Sequence, residues 1–154
     1  MKRIKVYLDT SVIGGCFDKE FEIYSNKLFD SIRNKYLQAV ISDITISELE
    51  RAPDYISEVL LSLSPDSVEI VNTDSEIIEL AEKYLREGIV SENYKSDALH
   101  IAIATVYRID VLVSWNFRHI VNLQKIKLFN SVNLKEGYQV LDIRTPLEVI
   151  ENGK

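Results

Sequence analysis

The sequence predicts an α/β fold, a three-layer α/β/α sandwich whose central parallel sheet has four to five strands. Short apolar runs alternate with helical segments along the chain, a pattern typical of parallel sheets covered on both faces. One helical segment is apolar on nearly all sides, which indicates burial. The 154 residues, 46% hydrophobic and 27% charged, suit one globular domain. We expect a single domain over 1–154, with 145–154 forming a loose C-terminal end.

Apolar spacing and turn residues predict the elements of the first half of the chain. Ile4, Val6 and Leu8 alternate with less apolar positions, which indicates a strand. Pro53 and Pro65 each end a helical pattern. The predicted segments are a strand at 4–8, a helix at 25–36, a strand at 39–41, and helices at 44–50 and 54–63.

The second half continues the alternation of strands and helices. Asp74 can cap a helix that Gly88 ends. The helix at 96–106 is the most apolar of the chain, so we expect it to be buried. The predicted segments are a strand at 68–71, helices at 74–86 and 96–106, a strand at 111–114, a short helix at 119–123 and a late strand at 138–141.

Composition restricts the kind of metal site and of partner. One cysteine and two histidines exclude an internal disulfide and a thiolate or histidine metal centre, so oxygen atoms would hold any metal, which favours Mg²⁺ or Mn²⁺. The net charge of −6 argues against nucleic acid. However, the acidic residues are concentrated in 43–92, between two mildly basic segments. No apolar run approaches the length of a membrane span, and we expect a cytoplasmic protein without membrane contact.

Four polar residues are predicted to lie along one edge of the sheet. Asp9 ends the first strand, and Glu48 lies in the first turns of the helix after the second strand. Asp97 lies in the first turn of the buried helix, and Asn116 follows the fourth strand. Because the carboxyl ends of parallel strands and the following helix N-termini share an edge, these side chains can meet in one crevice.

Each of these residues also has a purely structural interpretation. Asp9 could cap the following helix, and Glu48 could complete a capping box with Thr45. Asp97 could interact with the helix dipole, and Asn116 could be an ordinary turn residue. Their joint placement favours a site, because three buried carboxylates repel one another unless a divalent cation joins them. The sequence therefore predicts a magnesium or manganese site.

The same stretches resemble the PIN domains, the fold of VapC-type toxins and related ribonucleases, in order and spacing over residues 5–141. The Asp-x-x-His-x-Ala stretch is the most specific of them. The matching stretches are Leu8-Asp9-Thr10-Ser11, Ser47-Glu48-Leu49, Ser96-Asp97-Ala98-Leu99-His100-Ile101-Ala102 and Leu112-Val113-Ser114-Trp115-Asn116-Phe117.

The resemblance implies metal-dependent hydrolysis of RNA phosphodiester bonds. In it, Asp9 and Asp97 match metal-binding acids and Glu48 matches the third acid, which binds the cation or acts as a base. Asn116 stands where the family often has a fourth acid, and an amide adds no negative charge. Ser11 matches a hydroxyl that positions a phosphate or water. Basic residues near the site are expected to meet the RNA backbone or to serve solubility alone: Lys95, Arg118, Lys125 and Lys127.

As a toxin of a two-gene pair, the protein would have an antitoxin partner and could form a homodimer, although the sequence itself indicates neither. The main alternative is a non-catalytic PIN-like module that binds RNA or protein through a weakened metal site. A phosphoryl-transfer domain with Asp9 as nucleophile fits less well, because a haloacid-dehalogenase-like phosphatase would need an acid where Ser11 stands. His100 and His119 are expected to be structural, with His100 bonding to Asp97, and Trp115 is expected to serve packing.

Overall fold

The computed structural model describes residues 2–153 and contains a five-stranded, all-parallel sheet with the order β3-β2-β1-β4-β5. Parallel pairing aligns Val6 of the first strand with Ala39 on one side and Val111 on the other. The predicted sheet is confirmed. The strands are β1 (Ile4–Leu8), β2 (Leu37–Ser42), β3 (Val68–Val71), β4 (Val111–Val113) and β5 (Ile143–Arg144).

Helices cover both faces of the sheet, so the three-layer architecture is confirmed. One face of β1 places Tyr7 in a core with α5, α6 and α7, and the opposite face places Val6 and Leu8 in a core with α1, α2 and α8. The helices are α1 (Thr10–Gly14), α2 (Glu22–Arg33), α3 (Asp43–Glu50), α4 (Asp54–Leu61), α5 (Ser75–Arg86), α6 (Lys95–Val106), α7 (Leu123–Lys135) and α8 (Pro146–Gly153). None of those within 2–153 is long and apolar enough to cross a membrane.

The strand order reverses between β1 and β4, and this positions the site. The chain adds β2 and β3 on one side of β1, then crosses to place β4 on the other side. In open α/β sheets, a ligand crevice forms outside the carboxyl ends of the strands at such a reversal. The buried helix α6 packs behind this point, with His100 and Ala102 among its buried residues, as the sequence predicted.

The late strand predicted at 138–141 is wrong, because β5 begins two residues further on, at Ile143. The Asn130 side chain explains the difference. Its amide Nδ2 donates to the carbonyl of Leu141 at 3.0 Å, and its Oδ1 accepts from the Leu141 N–H at 2.8 Å. Both backbone groups of Leu141 are therefore satisfied by a side chain rather than by a neighbouring strand.

Two further predictions for the C-terminal third are wrong. The short helix at 119–123 is a turn, and the helix instead begins at Leu123, where the Asn122 side chain accepts from the Lys125 N–H. The loose end at 145–154 is, over its described part, the helix α8 packed on α2. Reciprocal hydrogen bonds between Thr145 and Glu148 form a capping box that starts this helix.

Candidate functional site

Asp9 lies at the carboxyl end of β1, beside the end of β4, and is only 4% exposed. Its Oδ1 accepts hydrogen bonds from the Ser11 hydroxyl at 2.7 Å and the Val12 N–H at 3.2 Å. Its Oδ2 accepts from the Ser114 hydroxyl at 2.5 Å. Asp9 therefore caps α1 and also joins the ends of β1 and β4. Burial raises the pKa of Asp9, and the charge of His100 together with these hydrogen bonds opposes the rise.

Glu48 reaches the same region from the second strand-to-helix junction. The capping box of α3 is formed by Ser42 and Thr45, so the predicted box between Thr45 and Glu48 is wrong. Glu48 is instead free to point away from its own helix terminus. Its Oε1 accepts from the Thr10 hydroxyl at 2.5 Å and from His100 Nε2 at 2.8 Å.

His100 connects Glu48 to a chain of hydroxyl groups below the site. Its ring is 2% exposed, and its Nδ1 lies 2.6 Å from the Tyr7 hydroxyl, which is itself 2.7 Å from the Ser42 hydroxyl. The expected bond from His100 to Asp97 is therefore replaced by bonds to Glu48 and Tyr7.

Burial by itself lowers the pKa of His100, but Tyr7, Glu48 and Asp9 together raise it to about 10. The imidazole is then positively charged at neutral pH and donates from both ring nitrogens. Burial likewise disfavours the Glu48 carboxylate, but the bond and charge of His100, with the Thr10 and Ser96 hydroxyls, hold the pKa of Glu48 below its ordinary value. Glu48 and His100 therefore form a partly buried ion pair, in which the His100 side chain is 2% exposed and that of Glu48 26%.

Asp97 completes the group of acids from the first turn of α6. Burial raises the pKa of Asp97 to about 6; the carboxylates of Asp9 and Glu48 add to the rise, and the charge of His100 opposes it. Asp97 is therefore within electrostatic reach of both Asp9 and Glu48. We name this group, Asp9, Glu48, Asp97 and His100, the acid pocket.

Asn116 follows β4 and faces the acid pocket through its amide nitrogen. Its Oδ1 accepts from the Arg118 and His119 N–H groups at 3.2 and 3.0 Å, which forms the turn that the structural interpretation predicted. Its Nδ2 lies 3.4 Å from Asp97 Oδ2, a long hydrogen bond. The two N–H donors determine this orientation, since the reverse would place the amide nitrogen against them.

The acid pocket has the donor chemistry of a hard-cation site. Three carboxylates face one buried imidazolium, which leaves an excess of negative charge and suits Mg²⁺ or Mn²⁺. Within residues 2–153, no three histidine, cysteine, aspartate or glutamate side chains lie close enough together to hold a metal ion as they stand. Hydroxyls and His100 engage the oxygens of Asp9 and Glu48, whereas Asp97 makes only the long contact with Asn116.

The remaining predicted site residues have defined surroundings. The Ser11 hydroxyl donates to Asp9 and accepts from the Trp115 N–H at 2.9 Å. The Arg118 guanidinium lies 5.7 Å from the centre of the Tyr94 ring, on the segment that leads into α6. The Lys125 ammonium donates to the carbonyl of Ile89, a bond that ties α7 to the loop before α6.

A comparison with known protein families now identifies the chain. The PIN domain model matches residues 6–120, about three quarters of the sequence and the part that contains the acid pocket. The chain belongs to the PIN domain family. No curated protein matches the sequence.

Solved structures share the fold of this PIN domain at low sequence identity. They include VapC20 of Mycobacterium tuberculosis, described as a toxin that cleaves the sarcin-ricin loop, with 16% identity and a TM-score of 0.58 over 74% of this chain and 92% of that one. VapBC2 of Rickettsia felis, bound to a promoter DNA fragment, gives 17% identity and a TM-score of 0.58 over 92% and 98%. A toxin–antitoxin complex of Klebsiella pneumoniae gives 20% identity and a TM-score of 0.56 over 78% and 93%.

Three polar residues of this candidate site were not assigned a role from the sequence. Thr10 and Ser114 stand beside Asp9 and Asn116 in the matching stretches, so their position was a usable signal. Tyr7 sits at a core position of a strand, where the sequence pattern indicates packing alone. His100 was expected to be structural, but with Asp97 rather than Glu48 and Tyr7 as its partner.

Proposed function

We propose that this PIN domain is a metal-dependent endoribonuclease that hydrolyses RNA phosphodiester bonds and acts as the toxin of a toxin–antitoxin pair. The observation that carries the proposal is that three acids from separate elements, Asp9 after β1, Glu48 of α3 and Asp97 of α6, lie on the same side of the sheet, with Glu48 bonded to the buried His100. Burial and the neighbouring acids raise the pKa of Asp97 to about 6. Perturbed acids that gather at a strand-order reversal are typical of a functional site.

Asp9, Asp97 and Glu48 would hold a Mg²⁺ or Mn²⁺ ion in this proposal. When bound, such an ion polarises a phosphate oxygen and lowers the pKa of its water towards neutrality. Asp97 has the fewest hydrogen bonds of the three acids, because among the described residues its one side-chain partner is Asn116, at the long distance of 3.4 Å. We therefore assign Asp97 the largest part in recruiting the cation.

The protein's own groups would prepare the reaction by fixing Glu48 and Asp9. Because its pKa is held below the ordinary value, Glu48 remains ionised at neutral pH and can hold the cation or orient the attacking water. The Thr10 hydroxyl and His100 restrict its rotation. The Ser11 hydroxyl is proposed to position a phosphate oxygen or water beside Asp9.

Asn116 would act on Asp97 rather than on the cation. Its carbonyl oxygen is occupied by two backbone N–H groups, and its amide nitrogen faces the Asp97 carboxylate. This arrangement favours the ionised form of Asp97 without adding a negative charge. We therefore propose that one cation suffices for this site.

The proposed partners follow from the family and from its solved members. An antitoxin protein that covers the site is supported by the Klebsiella pneumoniae neighbour, which is a toxin–antitoxin complex. A homodimer and a cytoplasmic location belong to the same proposal. Co-expression with the product of a small adjacent gene, followed by co-purification, tests the antitoxin partner.

The decisive experiment compares Asp97→Asn with Asp110→Asn, the same chemical change at the opposite edge of the sheet, where Asp110 accepts from the Lys5 N–H. Purified protein is incubated with single-stranded RNA and Mg²⁺ or Mn²⁺, and cleavage is followed with and without EDTA. We expect Asp97→Asn to lower the rate by about 1,000-fold or more, because a metal ligand is worth several kcal/mol. Asp110→Asn should cleave like the parent. Equal rates for parent and Asp97→Asn would refute the nuclease assignment.

A non-catalytic module is the second candidate. One observation in its favour is that the Asn116 side-chain oxygen already accepts a hydrogen bond from a backbone N–H group. Another is that, within residues 2–153, no three acids lie close enough together in this conformation to hold a metal ion. This candidate requires that the protein bind RNA without shortening it at any Mn²⁺ concentration. The same incubation, analysed for bound and cleaved RNA together, separates the two functions.

A further inference from the structure

Three aromatic side chains, one stacked pair and a third tilted ring, pack together beside the turn at Asn116. Phe21 and Trp115 are stacked, with ring centres 4.5 Å apart and planes 18° apart. Phe117 lies 6.3 Å from Phe21 and 6.2 Å from Trp115, and it is 51% exposed. We name Phe21, Trp115 and Phe117 the aromatic stack. Its outermost ring faces solvent, although its base is buried.

Hydrogen bonds fix the position of the aromatic stack relative to Asp9 of the acid pocket. The Trp115 indole N–H donates to the Ser25 hydroxyl at 2.8 Å, and the Trp115 backbone N–H donates to the Ser11 hydroxyl at 2.9 Å. Ser11 in turn donates to Asp9. Gly15 lies against the indole so closely that a Cβ there would be 2.9 Å from Trp115 Nε1. The stack is therefore a rigid extension of the site.

Phe117 connects the aromatic stack to the acid pocket through its neighbour in the chain, Asn116. Phe117 follows Asn116, whose amide contacts Asp97. The next residue, Arg118, places its guanidinium over the Tyr94 ring at 5.7 Å, on the chain segment that leads into α6. An exposed ring and a cation thus stand on the two residues that directly follow Asn116. Exposed aromatic rings beside cations are the groups with which proteins bind unpaired bases and their phosphates.

We propose that the aromatic stack is a nucleobase subsite, in which Phe117 stacks on an unpaired base next to the scissile phosphodiester and Arg118 meets an adjacent phosphate. This inference rests on the proposed ribonuclease function. It adds the residues by which the site would distinguish single-stranded from duplex RNA. In a duplex, each base is already stacked between its neighbours and its face is covered. The site therefore selects single-stranded or looped RNA over duplex RNA.

Trp115 is the single tryptophan of the chain, so its fluorescence reports directly on the stack. Binding is measured in the Asp97→Asn background, which prevents cleavage, with a ten-nucleotide single-stranded RNA and with its duplex. We expect the single strand to quench Trp115 and the duplex to bind at least tenfold more weakly. Phe117→Leu, which keeps an apolar side chain but removes the ring, should weaken single-strand binding by about 5- to 100-fold. Phe117→Tyr should bind like the parent background.

The matched control is Tyr36→Ala, which removes a ring that is 62% exposed at the amino end of β2, far from the pocket, and should leave binding unchanged. Equal affinity of Phe117→Leu and its parent, or equal affinity for duplex and single strand, overturns the subsite. If the native protein cleaves RNA but Phe117→Leu binds and cleaves normally, the subsite fails and the nuclease function stands. If the native protein neither binds nor cleaves any RNA, both fail together.

Discussion

The two edges of the sheet differ in how far their polar side chains are exposed to solvent. At the carboxyl edge, the polar side chains are buried and bonded to one another: Asp9, Ser42, Thr45, His100 and Ser114. At the amino edge, the charges are exposed and paired across the surface, as in the ion pair of Lys5 with Glu69 and the pair of Arg144 with Asp142. Both edges contain acids, but among the described residues only the carboxyl edge has a fully buried one, Asp9, with Glu48 and Asp97 partly buried beside it.

This difference supports the carboxyl edge as the candidate functional site. Burying a charge is unfavourable unless it is paired and hydrogen-bonded, whereas an exposed ion pair contributes little to stability. The carboxyl edge therefore retains an arrangement that packing alone would not favour, and its acids have shifted pKa values. The amino edge has an equally charged surface without these features. Burial and electrostatic coupling, rather than the number of charges, distinguish the candidate site.

The largest expected effect tests the difference in burial directly. His100→Ala should lower the free energy of unfolding by about 3–5 kcal/mol, because it empties a core position and removes the cation that pairs with Glu48, although Glu48 keeps its bond to Thr10 and Tyr7 its bond to Ser42. Lys5→Ala, which breaks the ion pair with Glu69 at the amino edge, should lower it by less than about 1 kcal/mol. Urea unfolding measures both variants. Similar losses for the two would contradict the contrast between the edges.

The pH dependence of cleavage should follow Asp97. Because the carboxyl must lose its proton to bind a cation, the rate at subsaturating Mn²⁺ should rise about tenfold per pH unit up to about pH 6 and then level off. His100, whose pKa is about 10, remains charged throughout this range and adds no inflection. A rate independent of pH between 4.5 and 7 would show that Asp97 is not the group that recruits the cation.

Two adjacent glycines test the rigidity of the aromatic stack. Gly15→Ala should lower the free energy of unfolding by about 1–3 kcal/mol, because the new Cβ would lie 2.6 Å from Ser25 Oγ and 2.9 Å from the Trp115 indole. Gly14→Ala is the control, since its Cβ would have no atom within 4 Å. Gly14→Ala should be neutral or stabilising by up to about 1 kcal/mol. Thermal unfolding with Trp115 emission distinguishes the two variants.

The smallest expected effect is the change in the free energy of unfolding when Asp97 of the acid pocket is replaced by Asn. Since the pKa of Asp97 is raised on folding, the folded state binds its proton more tightly, and the contribution of Asp97 to stability falls as pH rises from about 4 to 6. Asp97→Asn should therefore match the parent near pH 4 and exceed it by about 1–2 kcal/mol above pH 6 in EDTA. Urea unfolding at several pH values measures the difference. A variant less stable than the parent at pH 7 would contradict the proposed repulsion.

Local sequence patterns predicted most of the fold. The strand at 68–71 and the Asp74 cap agree with the structure, and the helix at 96–106 differs by one residue. The errors arose where a side chain competed with the backbone pattern. Asn130 bonds the backbone of Leu141 and so displaces the last strand. The helix α7 was missed because its buried face mixes apolar residues with Asn130 and Asn133.

The sequence by itself determined the alternation of strands and helices, because apolar periodicity and turn chemistry are local properties. It also assigned Asp9, Glu48, Asp97 and Asn116 to separate segments that each follow a strand or begin the buried helix. Tertiary structure decided which atoms those residues meet. The pairing of Glu48 with His100, the Tyr7 hydroxyl beneath it and the aromatic stack beside Ser11 all join residues distant in the chain. Such contacts depend on how the sheet and helices pack, and spacing along the chain does not specify them.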